Sequence, residues 1–187
     1  MNIYSPPLTD KQMKEYESWE ALEINLKSLC KWVDFRDYIW GYGRLNYKGK
    51  VVLDIGADIG SSALYFISKG ARRVAIIENN PEYNEIYRKL KKEMPEMAKV
   101  ELINREDVWK VDADILKMDC EGCEVQFLSE DNIKNLKRYG QFAIALHRHT
   151  IGDIKFNQLF NTLGSYKGFY FGTVNSEEYM FIKELDG

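Results

Sequence analysis

The sequence predicts an α/β domain, a largely parallel sheet covered by helices on both faces, and three observations carry that reading. From residue 50 onward, short β-branched apolar runs alternate with segments of helical periodicity. The first of those runs delivers an acid and then two glycines four residues apart, V-V-L-D-I-G-A-D-I-G-S-S over residues 51 to 62. The last two runs, Gly168 to Thr173 and Glu178 to Lys183, are joined by V-N-S-E and read as a terminal hairpin rather than another crossover.

Each element has its own local signal. Thr9 with Gln12 forms a candidate capping box, and Trp19, Leu22, Leu26, Leu29 and Val33 then repeat at helical spacing, an apolar stripe assigned to packing against the core. Asp37 to Tyr47 is glycine-broken and aromatic, a segment that either lies over a ligand or links helix to sheet. The first strand covers 51 to 55, a helix 61 to 69, the second strand 73 to 78, and a helix 81 to 93 with the stripe Tyr83, Tyr87, Leu90 and Met94. Pro81 suits the first turn of that helix. The third strand is Val100 to Asn104, the fourth Ala113 to Met118 and the fifth Gln141 to Leu146, followed by a helix near 153 to 163. Residues 1 to 48 read as a helical extension or lid on one compact domain, with residues 49 to 187 forming the sheet.

Composition narrows the function classes. At 187 residues and 45% hydrophobic content, with four Trp, nine Phe and twelve Tyr, the chain can bury one sizeable core. A net charge of −3 gives no global basic field for nucleic acid, and Arg88, Lys89, Lys91 and Lys92 read as an ordinary solvated helix face. No run has the length of a transmembrane helix and the N-terminus lacks the regions of a signal peptide, so a cytoplasmic protein is expected. Cys30, Cys120 and Cys123 are too few to suggest a disulfide framework, although Cys120 and Cys123 form a C-x-x-C where a redox pair would sit.

The glycine loop is where a ligand is expected. A glycine at a strand end lets a small molecule approach the main chain, and the free N–H groups of the following helix favour an anion. The spacing is D-x-G-x-x-x-G rather than the dinucleotide fingerprint, with Asp54 two residues before Gly56 and Gly60 closing the loop. That pattern resembles motif I of the Rossmann-like S-adenosylmethionine-dependent methyltransferases. The resemblance implies S-adenosylmethionine as cofactor, held by Asp54, Gly56, Ala57, Gly60, Ser61 and Ser62. It also implies a seven-stranded sheet whose last strand inserts antiparallel. Glu78 ends the second strand about 20 residues after the glycine loop, where an acid accepts hydrogen bonds from both ribose hydroxyls, and Asn79 stands beside it. In the resembled fold the loop after the third strand meets the adenine, here through Asp107 and Val108, with Trp109 as a stacking alternative.

Residues 114 to 124, D-I-L-K-M-D-C-E-G-C-E, carry a second resemblance. They are similar to the L-K-x-D-x-E-G-x-E signature of the FkbM family of methyltransferases, matched by Leu116, Lys117, Asp119, Glu121, Gly122 and Glu124. The fourth strand of such a sheet ends beside the first at the crevice where strand order reverses, so Asp119 and Glu121 are expected to face the ligand. There an acid holds an amino group, neutralises a sulfonium or takes a proton from a hydroxyl. His147 matches a histidine that FkbM-like sequences often carry after the fifth strand, while Ala145 stands where an acid is expected. With a free pKa near neutrality His147 is a candidate base, and His147 with His149 and Asp119 is a candidate metal set.

The reading is therefore an FkbM-like methyltransferase acting on a hydroxyl of a small molecule or sugar. The acceptor would be recognised by residues 1 to 48, by loops after the fourth and fifth strands, or by a second subunit of a homodimer. An RNA methyltransferase and a non-catalytic nucleoside-binding protein are the alternatives.

Overall fold

The computed structural model describes residues 8–166, 169–172 and 178–184. Helix α1 (Asp10–Glu17) opens on the capping box: Thr9 N donates to Gln12 Oε1 at 3.0 Å and Gln12 N donates to Thr9 Oγ1 at 3.4 Å. The helix expected to run on to Val33 is broken, and α2 (Glu20–Lys27) starts afresh. Ser18 Oγ turns back onto the Glu15 carbonyl at 2.6 Å, and the Trp19 ring leaves the stripe to stack on Phe35 at 4.4 Å between centroids. Leu29 falls beyond the second helix and is 46% exposed, while Leu26 and Val33 are buried as the stripe requires.

Helix α3 (Phe35–Trp40) begins at Asp34, whose carboxylate accepts the Asp37 N–H at 3.1 Å. Its first N–H, from Phe35, is taken at 2.7 Å by the buried Glu23, which also receives the Lys27 ammonium at 2.7 Å. These contacts hold the aromatic segment down on the body of the protein rather than leaving it a linker.

Strand β1 (Val51–Ile55) leads to α4 (Ser61–Ser68), β2 (Arg73–Ile77) to α5 (Pro81–Glu93), and then come β3 (Val100–Leu102) and β4 (Ile115–Met118). A short α6 (Glu124–Phe127) precedes β5 (Gln141–His147), α7 (Arg148–Ile151) and α8 (Asp153–Leu163), and the chain closes with β6 (Phe169–Gly172) and β7 (Glu178–Lys183). The seven-stranded sheet has the order β3-β2-β1-β4-β5-β7-β6. β1 to β5 pair parallel, while β7 lies antiparallel to β5 and to β6, as the terminal hairpin predicts. The expected turn V-N-S-E lies outside the described residues. The second, third and fourth strands are one to two residues shorter than expected and the fifth is one longer, bringing His147 onto the sheet.

Alternation along the strands divides the core in two. Val52, Val74, Ile76, Ile115 and Ala143 face one layer with Phe35, Tyr65, Phe66 and Tyr87, whereas Leu53, Ile55, Leu116, Met118, Phe142 and Ile144 face the other with Phe156, Leu159 and Leu163. The period of two carries Asp54 and Lys117 onto the first of these faces as register partners on neighbouring strands. Among the described residues no helix is long and apolar enough to cross a membrane.

Candidate active site

Strand order reverses between β1 and β4, and there, outside the carboxyl ends of the parallel strands, lies a cavity of about 460 Å³ roofed by the α3 segment. Its floor is built from a buried charge pair. Lys117 interrupts an apolar strand, and its Nζ lies 3.0 Å from Asp54 Oδ1 and donates to the Gly56 carbonyl at 2.5 Å. Ser62 Oγ donates to the other Asp54 oxygen at 2.6 Å. Burial works against the Lys117 charge, but Asp54 and Asp119 more than offset it and hold the ammonium above its usual range. Burial pushes the Asp54 carboxyl up against the pull of Lys117.

The two motif glycines are required by neighbouring protein atoms. Gly56 has φ +76°, and a Cβ there would run into the Asp119 carbonyl of the adjoining loop. Gly60, the N-cap of α4 at φ +88°, would place a Cβ 2.9 Å from Met97 and 3.1 Å from Tyr87. Between them Asp58 adopts φ +49°, and its N–H donates to Glu78 Oε2 at 3.0 Å. Asn80 N donates to Glu78 Oε1 at 2.7 Å, so the carboxylate at the end of β2 is fixed by one backbone N–H on each oxygen while still lining the cavity. Burial, then the neighbouring Glu78, Asp119 and Asp54 charges, push the Asp58 carboxyl up to about 7 despite the pull of Lys117.

The far wall is a histidine among acids. His147 Nδ1 lies 2.7 Å from Glu124 Oε1, and its Nε2 lies 3.4 Å from Asp119 Oδ1 and 3.5 Å from Glu121 Oε1. Burial alone would lower the imidazole pKa; the hydrogen bond to Glu124 and the charges of Asp119, Glu124 and Glu121 raise it instead, to about 9. His147 is thus an imidazolium at neutral pH, a donor rather than the near-neutral base of the sequence reading. Asp119 also accepts the Tyr42 hydroxyl at 2.7 Å. Burial pushes the Asp119 carboxyl up, but Lys117, His147 and that hydroxyl hold it below the usual carboxylate range. Across the sheet Glu178 pairs in register with His147, and burial followed by the Asp119 charge pushes its carboxyl up to about 7.

Gly56, Ser62, Glu78, Asn79, Asp119, Glu121 and His147 all line this one cavity. Asp54 and Ala57 lie beneath it, fully buried, and Gly60 and Ser61 shape the first turn of α4, where Ser61 Oγ is 2.9 Å from the Tyr38 hydroxyl. Asp107 and Val108 are not brought to it: Asp107 pairs with Lys110 at 2.7 Å on the surface, and Val108 is buried in the second core layer. Trp109 is packed edge-on against Phe127. Tyr38, Tyr42, Asp58, Lys117 and Glu178 are lining residues absent from the expected site. Lys117 carried a signal, a charge in the middle of the buried run I-L-K-M, and Tyr38 and Tyr42 belong to the aromatic segment read as able to lie over a ligand; Glu178 carried none, because the fold brings it in from a distant part of the chain.

Cys120 and Cys123, the C-x-x-C of the sequence, are joined in a disulfide on the cavity wall, while Cys30 is free and buried. The intervening Glu121 and Gly122 adopt φ +53° and +111°, which folds the segment back and brings the two Cα atoms to 5.5 Å. Among the described residues no group of three His, Cys, Asp or Glu side chains is arranged to hold a metal ion.

Several solved structures share this fold. An O-methyltransferase from Bacillus cereus in complex with SAH superimposes with a TM-score of 0.62 at 14% identity, over 94% of this chain and 91% of that one. The C-terminal domain of precorrin-6Y C5,15-methyltransferase from Rhodobacter capsulatus gives 0.60 at 12% identity, over 81% and 90%. An rRNA methylase from Streptococcus thermophilus gives 0.55 at 12% identity, over 77% and 91%. The fold is therefore the Rossmann-like methyltransferase fold. No family model matches the chain, so the FkbM resemblance stands on its motif. In sequence, uncharacterized protein 65 of the Sulfolobus islandicus filamentous virus (isolate Iceland/Hveragerdi) is 34% identical over 116 residues, 62% of this chain and 71% of that protein. Uncharacterized protein 158B of Sulfolobus islandicus rod-shaped virus 1 is 35% identical over 159 residues, 82% of this chain and 92% of its own length, and it is to the family of this viral protein that the chain belongs.

Proposed function

We propose that this protein is an S-adenosylmethionine-dependent methyltransferase, and the observation that carries the reading is Glu78. Each of its oxygens accepts one backbone N–H, at 3.0 and 2.7 Å, which leaves a further lone pair on each for the paired hydroxyls of a ribose. A cavity of about 460 Å³ suits a nucleoside with an amino-acid tail, and its carboxylates suit a sulfonium and an ammonium. When bound, the cofactor supplies an electrophilic methyl group on sulfur.

The chain's own groups supply position and charge. Glu78 would hold the ribose, and Asn79, Asn80 and Tyr83, which line the cavity beside it, replace Asp107 and Val108 as candidates around the adenine. Lys117 ties β4 to β1 and to the Gly56 carbonyl, so the glycine loop is set before any ligand arrives. The α3 segment would cover a bound ligand from above, and the Tyr42 hydroxyl donates to Asp119 and directs it. His147 as an imidazolium orients Asp119 and Glu121, and Glu178 and Asp58, each with its carboxyl up to about 7, are the lining groups matched to accept a proton at neutral pH. A hydroxyl acceptor, which the FkbM resemblance favours, would give its proton there. RNA is the poorer partner, since its phosphates would meet a wall of carboxylates.

Calorimetric titration with S-adenosylmethionine, S-adenosylhomocysteine and NAD tests the cofactor. The first two are expected to bind in the micromolar range, weakened at least about tenfold in Glu78→Ala by loss of hydrogen bonds to a charged group. Heat from NAD alone, or from none of the three, contradicts the proposal.

A further inference from the structure

Strand order sets three carboxylates in a row along the cavity. Glu78 follows β2, Asp58 follows β1 and Asp119 follows β4, and these three strands are neighbours in the order β2-β1-β4. Adjacent strands lie about 4.8 Å apart, so the loop that carries Asp58 stands between the other two acids, roughly one strand spacing from each. The outer acids are tied down. Glu78 accepts the Asp58 and Asn80 N–H groups, and Asp119 accepts the Tyr42 hydroxyl and lies 3.4 Å from His147 Nε2.

Asp58 differs from both. Its N–H is committed to Glu78, but among the described residues its carboxylate has neither a hydrogen bond nor an ion pair. The cation that faces it, Lys117, already lies 3.0 Å from Asp54 and donates to the Gly56 carbonyl. At φ +49° a glycine would serve the same backbone without strain. What aspartate adds to the loop is therefore a carboxylate open to the cavity. Burial pushes that carboxyl up to about 7, helped by the Glu78, Asp119 and Asp54 charges and opposed by Lys117. The other titratable groups facing it, Cys30, Tyr38 and Tyr83, are raised above their ordinary values and stay neutral at that pH.

The cofactor reading brings a cation to this place. In S-adenosylmethionine the sulfonium sulfur is bonded to C5′ of the ribose, close to the hydroxyls that Glu78 would hold, and the amino nitrogen sits on the third carbon beyond the sulfur. A nucleoside held at Glu78 with its tail running towards β4 carries its sulfur past Asp58 before its amino group reaches Asp119. A sulfonium has no N–H or O–H to donate, so its recognition rests on charge, which an unbonded carboxylate supplies.

Resting on the S-adenosylmethionine reading, we infer that Asp58 is the counter-ion of the cofactor's sulfonium and thereby the residue that distinguishes S-adenosylmethionine from S-adenosylhomocysteine. As the methyl carbon passes to the acceptor, the C–S bonding pair stays on sulfur and the thioether is neutral. Asp58 is then an unpaired carboxylate between Glu78 and Asp119, which disfavours the product. Glu178 remains as the lining group for the acceptor's proton.

Only ionised Asp58 pairs with the sulfonium, so affinity for S-adenosylmethionine rises with pH through about 7. S-adenosylhomocysteine has the same amino and carboxyl groups but no charge on sulfur, and gains nothing from that ionisation. Paired calorimetric titrations with the two ligands, from about pH 6 to about pH 8, test this. The methylated ligand is expected to bind at least about tenfold more tightly at the upper pH, with the ratio falling several-fold at the lower. Asp58→Asn, and Asp58→Gly with its free backbone, should each cut the upper ratio at least about fivefold while S-adenosylhomocysteine affinity stays within about threefold, which also reports that the variants fold. Equal affinities in the unmodified protein, an unchanged ratio in both variants, or an equal loss for both ligands, which places the amino group at Asp58, overturns the assignment. So does a pH rise that survives in Asp58→Asn and vanishes in Glu178→Gln. Binding of neither ligand defeats the cofactor reading itself, and the assignment falls with it.

Discussion

Lys117 and Asp54 are register partners on β4 and β1, and the ammonium of one lies 3.0 Å from the carboxylate of the other with almost none of either side chain reaching solvent. Such a pair contributes little net stability by existing, yet removing one partner strands the other charge in the interior. Lys117→Met is therefore expected to cost about 3–5 kcal/mol in urea unfolding, and the double variant Asp54→Leu/Lys117→Met to recover most of it. Affinity for S-adenosylhomocysteine should stay low in the double variant, because nothing then holds the Gly56 carbonyl. A single-variant cost under about 1 kcal/mol would show that the pair is not closed to water.

His147 sets a pH dependence of stability. Its pKa is raised to about 9 in the folded protein from an ordinary value near 6.5. The stabilisation from its charged contacts is accordingly complete below about pH 6.5 and disappears as pH rises through about 9. That corresponds to about 3 kcal/mol from this group. Thermal unfolding of His147→Gln should lack the decline between those pH values that the unmodified protein shows; the same decline in both would rule out His147 as its source.

The motif glycines separate two kinds of cost. Gly56→Ala combines a left-handed backbone with a collision against the Asp119 carbonyl, and a loss of about 3 kcal/mol or more is expected. Gly152 has nearly the same φ, +77°, with ψ 157°, a region essentially confined to glycine, but nothing lies within 4 Å of its missing Cβ, so Gly152→Ala should cost only the backbone strain, about 1–3 kcal/mol. Equal losses in the two, read from chemical denaturation, would mean that the loop after β4 moves aside.

The Cys120–Cys123 bridge closes a very short loop, with a sequence separation of 3, so its entropic contribution is small. Cys120→Ser/Cys123→Ser should lose no more than about 2 kcal/mol of stability. A loss well above that would assign the bridge a role in holding Asp119 and Glu121 in place.

Much of this arrangement was legible because it is local. The strands announce themselves as β-branched runs, the turn into α4 as an acid and two glycines, and the capping box as Thr9 and Gln12, each within a few residues. Glu78 was legible too, since its distance from the glycine loop follows from one β-α-β repeat. What escaped depends on contacts between distant segments. The break between α1 and α2 follows from Trp19 meeting Phe35, and the orientation of Asp119 from Tyr42, 77 residues earlier. The His147 charge state depends on Glu124 and Asp119, which no reading of A-L-H-R-H contains. The glycines have a reason that the sequence reading did not contain: protein presses on Gly56 and Gly60, through the Asp119 carbonyl and the Met97 and Tyr87 side chains.

A crystal structure of the protein with S-adenosylhomocysteine tests the central claim most directly. The account predicts the nucleoside in the cavity at the carboxyl ends of β1 and β4, with both ribose hydroxyls donating to Glu78 and the sulfur facing Asp119 and Glu178. A nucleoside bound elsewhere, or a Glu78 carboxylate without contact to the ribose, would contradict it.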